Sequence, residues 1–435
     1  MAYTTQLKNG NELNRLYESD LPVHEWYRFV LSYPPHLVRT YVEQFALSTG
    51  QTILDPFCGT GTTLVEAKKL GIESVGIEAN PMAHFAAKVK THWDVDPVGL
   101  VDFGQAVADK VQGQVDEAAI GCGSGRATAS EFQAQLRTLS NDQFKLLIKN
   151  SISPLPLHKT LTLMNCIERH EATQFHDHAK LALAKQTVKK FSNLRFGPEI
   201  GVGKIKGDTP VLRPWLNAIS NMAKDLEKAR TLSSAPATLF LGDSRDMSEY
   251  LQPCSIDAVI TSPPYPNEKD YSRTTRLESV LLGFVSNREE LRRFKQQFIR
   301  SNTRGVYKSD SDDEWVSNIS RIQTLADSIE QRRLELGKTS GFEKQYAKVV
   351  RLYFGGMARH LSELRSLLRP GAKLAYVVGD QASYFRIMIR TGQILTEIAE
   401  QLGYKVLDID LYRTRFSTAT KQQLREEVVL LQWSG

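Results

Sequence analysis

Short apolar segments alternate along the chain with longer stretches in which apolar residues recur at helical spacing. Residues 52–55, 74–78, 238–242, 257–261 and 372–380 are apolar runs that end in, or are followed by, glycine, proline or an acidic residue. This is the pattern of buried strands that end in loops. Helical patterns separate the runs, which indicates parallel strands joined by right-handed crossovers. The sequence therefore predicts an α/β protein with a doubly wound, mostly parallel sheet.

Two further apolar segments near the end of the chain, 404–411 and 426–433, complete the predicted sheet. They are close enough in sequence to form an antiparallel pair, which brings the sheet to seven strands. A long helix is expected over residues 342–368, because Arg-Pro-Gly at 369–371 is a strong stop signal.

Two segments interrupt this alternation, residues 86–235 and residues 286–345. The first is mostly helical in pattern, and its glycine-rich stretch at 120–125 predicts a linker. Between residues 126 and 230 it carries 17 Lys and Arg against 9 Asp and Glu, a net charge of +8 that exceeds the +6 of the whole chain. The second mixes both signs, as a solvent-exposed helical insertion does. We therefore expect a core domain in three parts, residues 1–85, 236–285 and 346–435.

Composition narrows the class of protein without identifying its partner. Of the 435 residues, 41% are hydrophobic and 24% are charged, as in soluble globular proteins. No apolar run approaches the ~20 residues of a membrane-spanning helix, and the four cysteines lack the Cys-x-x-Cys spacing of zinc sites. We expect a cytoplasmic protein with neither a membrane anchor nor a metal. The net charge of +6 is compatible with a nucleic-acid partner but does not require one.

A glycine turn, defined here as residues 55–62 (DPFCGTGT), follows the first predicted strand. Gly59 and Gly61 allow the backbone to approach a ligand, and the helix behind them presents free N–H groups. The turn lacks the Gly-Lys-Ser/Thr of a Walker loop, and Leu64 replaces the last glycine of the dinucleotide fingerprint. Asp55 would repel a pyrophosphate, so the turn suits a cationic ligand such as an ammonium or a sulfonium group.

Acidic residues end two other predicted strands. Glu78 ends the second strand, where such an acid commonly accepts hydrogen bonds from ribose hydroxyl groups. A solvated loop carboxylate is the alternative for Glu78. Asp243 follows the third strand and could accept a hydrogen bond from an adenine amino group.

The target loop, defined here as residues 261–265 (TSPPY), ends the fourth predicted strand. Pro263 and Pro264 fix two φ angles and remove two N–H donors, which leaves carbonyl oxygens for a ligand. With the Ser262 hydroxyl and the Tyr265 ring, the loop offers two acceptors and an aromatic plate to a flat ring that carries an amino group. The alternative is a proline-stiffened loop end with a surface tyrosine.

Together the two segments resemble a known enzyme family. The glycine turn is similar to the S-adenosylmethionine loop of DNA amino-methyltransferases, and the target loop is similar to their Ser-Pro-Pro-Tyr catalytic motif. The resemblance covers residues 24–80 and 236–435, and it implies a Rossmann-like methyltransferase sheet with a large helical insertion and a smaller second one. It implies catalytic roles for Ser262, Pro263, Pro264 and Tyr265. It also implies a cofactor site made by Tyr33, Asp55, Pro56, Phe57, Gly59, Gly61, Thr62, Glu78, Asn80 and Asp243.

The resemblance further implies methyl transfer to an exocyclic amine of a DNA base. Ser262 Oγ and the Pro263 carbonyl would accept the two N–H groups of the amine, so that its nitrogen attacks the methyl carbon directly. Tyr265 would stack on the base, which has to leave the duplex to reach the site. Serine at the first motif position favours N4 of cytosine, with N6 of adenine as the alternative. In the family, a proline-containing segment before the first strand often walls the methionine end of the cofactor, and Tyr33 and Pro34 are the candidates here. The equal alternative is a helix that starts at Pro34.

DNA contacts are expected mainly in the first insertion, the candidate target-recognition region, and the second insertion could cover the DNA. The aromatic rings of Phe191 and Phe196 could fill the gap left by an extruded base. Tyr271 is either a second stacking ring or a core residue. The resemblance also admits a cognate restriction nuclease or another defence-system partner. The candidate phosphate contacts are Lys189, Lys190, Arg195, Lys269, Arg273 and Arg276.

Three other functions compete with this interpretation. An RNA guanine-N2 methyltransferase shares the glycine turn, but its loop usually begins with Asp or Asn. A non-catalytic DNA-binding subunit would not need an intact target loop. A nicotinamide oxidoreductase is disfavoured by Leu64 and Asp55.

Overall fold

The computed structural model describes residues 16–28, 32–123, 136–196, 200–232, 235–267, 269–417 and 420–435. Seven strands form one sheet, and two short strands form a separate ladder. The strands are β1 (Thr52–Asp55), β2 (Glu73–Glu78), β3 (Leu194–Arg195), β4 (Gly201–Val202), β5 (Ala237–Leu241), β6 (Ile256–Thr261), β7 (Leu368–Gly379), β8 (Lys405–Ser417) and β9 (Gln422–Gln432).

Helices connect these strands and build the two insertions. A π-helical turn, Thr187–Phe191, continues the helix His176–Gln186. The helices are α1 (Leu21–His24), α2 (Pro35–Gln44), α3 (Thr62–Lys69), α4 (Pro81–Thr91), α5 (Pro97–Gly123), α6 (Asn141–Leu146), α7 (Pro154–Glu168), α8 (His176–Gln186), α9 (Leu212–Ala229), α10 (Tyr271–Thr274), α11 (Arg276–Leu281), α12 (Arg288–Gln296), α13 (Ser320–Glu335), α14 (Tyr346–Leu364) and α15 (Thr391–Gln401).

The sheet has the order β5-β2-β1-β6-β7-β9-β8. β5, β2, β1, β6 and β7 are parallel neighbours, and β9 pairs antiparallel with both β7 and β8. The predicted doubly wound, mostly parallel sheet with an antiparallel closing pair is confirmed. Because β1, β2 and β6 run the same way, Asp55, Glu78 and Thr261 end at one edge of the sheet, which we call the carboxyl edge. Ligands of such sheets bind at this edge.

Alternate residues of the central strands enter two different cores. Ile53 and Ile260 pack with Leu37 of α2, whereas Leu54 and Val259 pack on the other face. That second face is covered by α14 and α15. Since side chains alternate along a strand, a one-residue slip would exchange the two faces. The register of β1 and β6, and with it the position of the loops that follow them, is therefore set by packing.

The first insertion shares a core with the main domain. Helix α4 runs across the expected boundary at residue 86, so that this boundary falls inside a helix. Met82 and Phe85 of α4 pack in the same cluster as Leu181 and Trp215 of the insertion. The glycine-rich stretch expected to be a linker is helical up to Gly123, and its last two residues lie outside the described ones.

The end of the long helix differs from the prediction. Helix α14 ends at Leu364 and β7 already begins at Leu368, which pairs with Ile256. Residues 369–371 form an irregularity within β7, because the register with β6 shifts between Ile256 and Ala258. Gly371 adopts a φ of +87° there and donates its N–H to Trp433 O. The Arg-Pro-Gly signal therefore marks a strand irregularity rather than the stop of a helix.

The second insertion is less exposed than its charge pattern suggests. Ile299, Val316 and Ile322 are buried in the cluster that α14 covers.

Among the described residues, no helix combines the length and apolarity needed to cross a membrane. In the same part of the chain, no three His, Cys, Asp or Glu side chains are grouped to hold a metal ion.

Candidate active site at the carboxyl edge of the sheet

One cavity of about 680 Å³ opens at the carboxyl edge, and both sequence motifs contribute to its wall. The glycine turn lies on one side and the target loop on the other, although about 200 residues separate them in sequence. The predicted residues in the wall are Tyr33, Pro56, Phe57, Gly59, Thr62, Glu78, Asn80, Ser262, Pro263, Pro264, Tyr265 and Lys269.

The glycine turn has the backbone geometry that its two glycines predict. Gly59 and Gly61 adopt φ angles of +52° and +81°, a region that favours glycine. A Cβ atom on Gly61 would stand 3.0 Å from Ala87 Cβ, so that a side chain would push α4 away. From α4, the buried Lys90 ammonium donates a 2.8 Å hydrogen bond to Thr60 O. Burial lowers the pKa of Lys90 to about 7.

Asp55 lies behind the cavity wall rather than in it. Its side chain is fully buried, and its carboxylate accepts hydrogen bonds from Tyr33 Oη at 3.0 Å and from the Phe57 N–H at 3.2 Å. Thr261 Oγ1 donates a third bond at 2.6 Å. Burial raises the pKa of Asp55, against the effect of these donors. The structure thus places Asp55 as a tie between the glycine turn and the target loop.

Tyr33 joins the segment before β1 to the same network. Its hydroxyl also contacts Thr63 Oγ1, which in turn donates a 3.0 Å hydrogen bond to Ile260 O. Helix α2 begins at Pro35, one residue after Pro34. The expected helix is therefore present, and Tyr33 but not Pro34 lies in the wall of the cavity. The role of Tyr33 at the cofactor stays a prediction.

Glu78 faces the cavity from the end of β2. Its carboxylate accepts 2.8 Å hydrogen bonds from the Gly59 and Asn80 N–H groups. Burial raises the pKa of Glu78 to about 7, although these backbone donors oppose the change. Asn80 caps α4, with its Oδ1 accepting from Met82 N at 3.1 Å. The solvated-loop alternative for Glu78 does not describe this half-buried, hydrogen-bonded position.

The target loop is held from both sides. Ser262 Oγ donates a 3.1 Å hydrogen bond to Val377 O of β7, and Tyr271 Oη accepts from the Tyr265 N–H at 3.3 Å. The Tyr265 ring lies against Gly379, where an added Cβ would stand 3.0 Å from its Cε2. Tyr271 supports the loop and also lines the cavity, and its role as a second stacking ring stays a prediction.

The β8–β9 hairpin supplies wall residues that sequence reasoning missed. Arg413 forms a two-pronged ion pair with Glu426, at 2.6 and 2.8 Å, and both line the cavity with Arg415. Burial raises the pKa of Tyr265, and the Glu426 charge raises it further, so that the phenol stays protonated. From the second insertion, Gln297 and Phe298 also reach the wall. One signal in the sequence could have identified Arg413 and Arg415. The period-two pattern of β8 continues past the predicted end of the strand and includes both of them.

The structure does not bring Asp243 to the cavity wall. Both of its carboxylate oxygens bind the Arg245 guanidinium, with Nε–Oδ distances of 2.9 and 3.1 Å. Arg245 also pairs with Asp312 and donates to Gln296 O at 3.0 Å. Asp243 therefore ties the end of β5 to the second insertion, and its acceptor atoms are already used.

The candidate phosphate contacts are dispersed. Arg276 is committed inside the protein, since its guanidinium donates to Ser272 O, Ser272 Oγ and Leu146 O. These hydrogen bonds hold the guanidinium inside the protein, and its phosphate contact stays a prediction. Arg273 is half-buried in α10 and lies outside the cavity wall. Of the three candidates that follow the target loop, only Lys269 is part of the cavity wall.

The basic stretch of the first insertion is only partly a surface. Lys189, Lys190 and Arg195 are exposed and lie outside the cavity wall, and Lys189 pairs with Glu25 at 3.2 Å. The Phe191 ring is fully buried in the core that the insertion shares with α4. Phe191 cannot fill a gap in a duplex, because withdrawing it would open that core.

Comparison with known proteins finds methyltransferases. The N6/N4 family model described as DNA methylase matches residues 4–88. The type II methyltransferase M.BsoBI of Geobacillus stearothermophilus is 27% identical over 430 residues, which cover 92% of this chain and 82% of the relative. The type II methyltransferase M.AvaI of Anabaena variabilis is 24% identical over 416 residues, covering 92% and 83%.

A third similarity is local. The tRNA (guanine(10)-N2)-dimethyltransferase of Methanothermobacter thermautotrophicus is 33% identical over 86 residues, 20% of this chain and 24% of that protein. The two type II methyltransferases, in contrast, match across 92% of this chain. The chain is therefore similar to type II methyltransferases over most of its length, and its N-terminal part matches the N6/N4 DNA methylase model.

Proposed function

We propose that this protein transfers a methyl group from S-adenosylmethionine to the exocyclic N4 of cytosine in DNA. The observation that carries the proposal is the single cavity shared by the glycine turn and the target loop. A donor held at one side and an amine held at the other would meet inside it. The relatives' description as type II methyltransferases supports a role in modifying a specific DNA site, beside a cognate nuclease.

The residues of the glycine turn fit the cofactor. A cavity of about 680 Å³ is within the size range of small-molecule sites. The left-handed backbone at Gly61 brings the start of α3 close to the cavity without an intervening side chain. Glu78 offers its carboxylate to ribose hydroxyl groups, and Phe57 and Tyr33 offer aromatic surface. Bound there, S-adenosylmethionine would supply an electrophilic methyl group.

The target loop presents acceptors for an amino group. The Ser262 hydroxyl donates its O–H to Val377 O in a hydrogen bond. The lone pairs of Ser262 Oγ therefore remain available to accept an N–H group. The Pro263 carbonyl is followed by Pro264, which has no N–H to compete for it. Two such hydrogen bonds would orient the nitrogen lone pair toward the methyl carbon, so that catalysis rests on positioning and fixed dipoles. The neutral Tyr265 ring offers a stacking surface for the base.

The choice of cytosine N4 rests on Ser262, the residue type that the family resemblance associates with cytosine. Adenine N6 is the second candidate, because its amine presents the same two N–H groups. The local similarity to a tRNA methyltransferase makes RNA the third substrate to test.

One experiment separates these substrates. The protein is incubated with S-adenosylmethionine carrying a tritiated methyl group and with either plasmid DNA or bulk tRNA. We expect label in DNA only, and N4-methyldeoxycytidine after digestion to nucleosides and mass analysis. N6-methyldeoxyadenosine would shift the proposal to adenine. Label in tRNA alone, or in neither nucleic acid, would contradict it.

A further inference from the structure

The β8–β9 hairpin extends past the sheet on the side of the active site. β7 pairs with β9 only as far as Gly379, opposite Glu426. β8 and β9 continue to pair from there to Ser417, opposite Gln422. At about 3.4 Å per residue, four further pairs carry the hairpin roughly 14 Å beyond the end of β7. Gly379 ends β7 at the carboxyl edge, so that this overhang stands beside the mouth of the cavity.

Strand periodicity places two arginines of the overhang on the same face. The register of β8 shifts between Leu411 and Arg413, and regular pairing resumes at Arg413. Residues two apart on a strand share a face, and both Arg413 and Arg415 are indeed part of the cavity wall. The face that carries them is therefore turned toward the target loop.

The two arginines differ in what lies across the ladder. Glu426 faces Arg413 and neutralises it in the two-pronged ion pair. Leu424, which carries no charge, lies opposite Arg415. Arg415 is also exposed to solvent. The rim of the cavity thus carries a solvent-accessible guanidinium, whereas the deeper arginine is occupied.

A nucleotide whose base enters the cavity must leave its phosphates at the rim. A planar guanidinium binds phosphate oxygens through two parallel hydrogen bonds. We propose that Arg415 binds the DNA backbone phosphate next to the nucleotide whose base enters the cavity. This inference rests on the proposed function and adds a contact that positions the target strand.

The test uses a short duplex that contains the site methylated by the full-length wild-type protein. Each lost phosphate contact lowers the slope of log Kd against log salt concentration by about 0.9. We expect R415A to lower the slope by about 1, and R415K to keep it, with unchanged affinity for S-adenosylmethionine. Lys405 is an exposed cation at the opposite end of β8, and K405A should leave the slope unchanged. Thermal unfolding of R415A, and of R415Q as a second neutral variant, checks that the hairpin remains folded.

A neutral methylphosphonate locates the contact on the DNA. Placed beside the target nucleotide, it should lower the slope for the wild type but produce no further change with R415A. An unchanged slope in R415A and R415Q overturns the inference, and so does a methylphosphonate effect that adds fully to that of R415A. A wild-type protein that methylates no DNA would refute the proposed function instead, so that the two failures are distinct.

Discussion

Thr261 Oγ1 donates a 2.6 Å hydrogen bond to Asp55 Oδ1, across the carboxyl ends of β6 and β1. Both side chains are fully buried. Since Asp55 begins the glycine turn and Thr261 begins the target loop, this contact sets the distance between the two halves of the site. Tyr33 donates to the same carboxylate and adds the segment before β1.

The first prediction concerns this contact. In T261V the buried carboxylate loses a donor, which costs about 1–3 kcal/mol of unfolding free energy because the acceptor cannot turn to water. Urea unfolding measures the loss. T238V is the matched control, since Thr238 is an exposed strand residue of the same sheet, and it should change stability by less than about 0.5 kcal/mol. Equal effects of the two substitutions would contradict the role of Thr261.

The second prediction concerns the acceptor of the target amine. S262A should lower kcat by on the order of 10²–10³-fold, because an oriented hydrogen bond in the transition state is lost. Its affinity for S-adenosylmethionine, measured by calorimetry, should stay that of the wild type. Ser255, at the other end of β6, also donates its hydroxyl to a main-chain carbonyl, Gln252 O at 2.7 Å. S255A should retain full kcat, and a fully active S262A would refute the assignment.

The third prediction concerns pH. The pKa of Glu78 is about 7 in the folded protein, whereas the ordinary pKa of a glutamate, taken here for the unfolded chain, is 4.5. The folded protein therefore binds more protons than the unfolded chain between these values. The stability that protonated Glu78 contributes is present below about pH 4.5 and is lost as pH rises through about 7, on the order of 1–3 kcal/mol. E78Q should remove this part of the pH dependence in denaturant unfolding.

Cofactor affinity should show the opposite trend. In the proposed site the ionised Glu78 carboxylate would accept hydrogen bonds from ribose hydroxyl groups, so that we expect affinity to rise as pH passes through about 7. In E78Q the affinity should be lower and nearly independent of pH over this range. Glu73 is an exposed acid at the start of the same strand, and E73Q should keep the wild-type profile. A pH-independent wild-type affinity would contradict the prediction.

The fourth prediction concerns the tie between the second insertion and the sheet. Arg245 is 6% exposed and pairs with Asp243 and Asp312. R245A removes the closest partner of the buried Asp312, which keeps only Arg359 at 3.6 Å, and the partner of the half-buried Asp243. It should cost about 3–5 kcal/mol of unfolding free energy. Arg332 forms an exposed pair with Glu335, and R332A should cost at most about 0.5 kcal/mol. A cost for R245A as small as that for R332A would show that the buried network is not needed.

The sequence by itself determined the sheet and the chemistry at its edge. Short apolar runs that end at Asp55, Glu78 and Thr261 predict parallel strands whose ends meet, because a parallel sheet aligns its carboxyl ends. The glycine turn and the proline pair dictate local backbone geometry, which depends on few neighbours. These features needed no knowledge of distant contacts.

Only the tertiary structure decided which charged side chains remain for a ligand. Asp243 is taken by Arg245, and Arg276 by Ser272 and by the main-chain oxygen of Leu146, whereas Arg415 reaches the cavity from the far end of the chain. Phe191 lies in a basic stretch of the sequence, but its ring is buried in the core. The physical reason is that a buried charge must find a partner wherever the fold brings one. That partner can lie many residues away, as Asp312 does from Arg245, and local patterns do not record it.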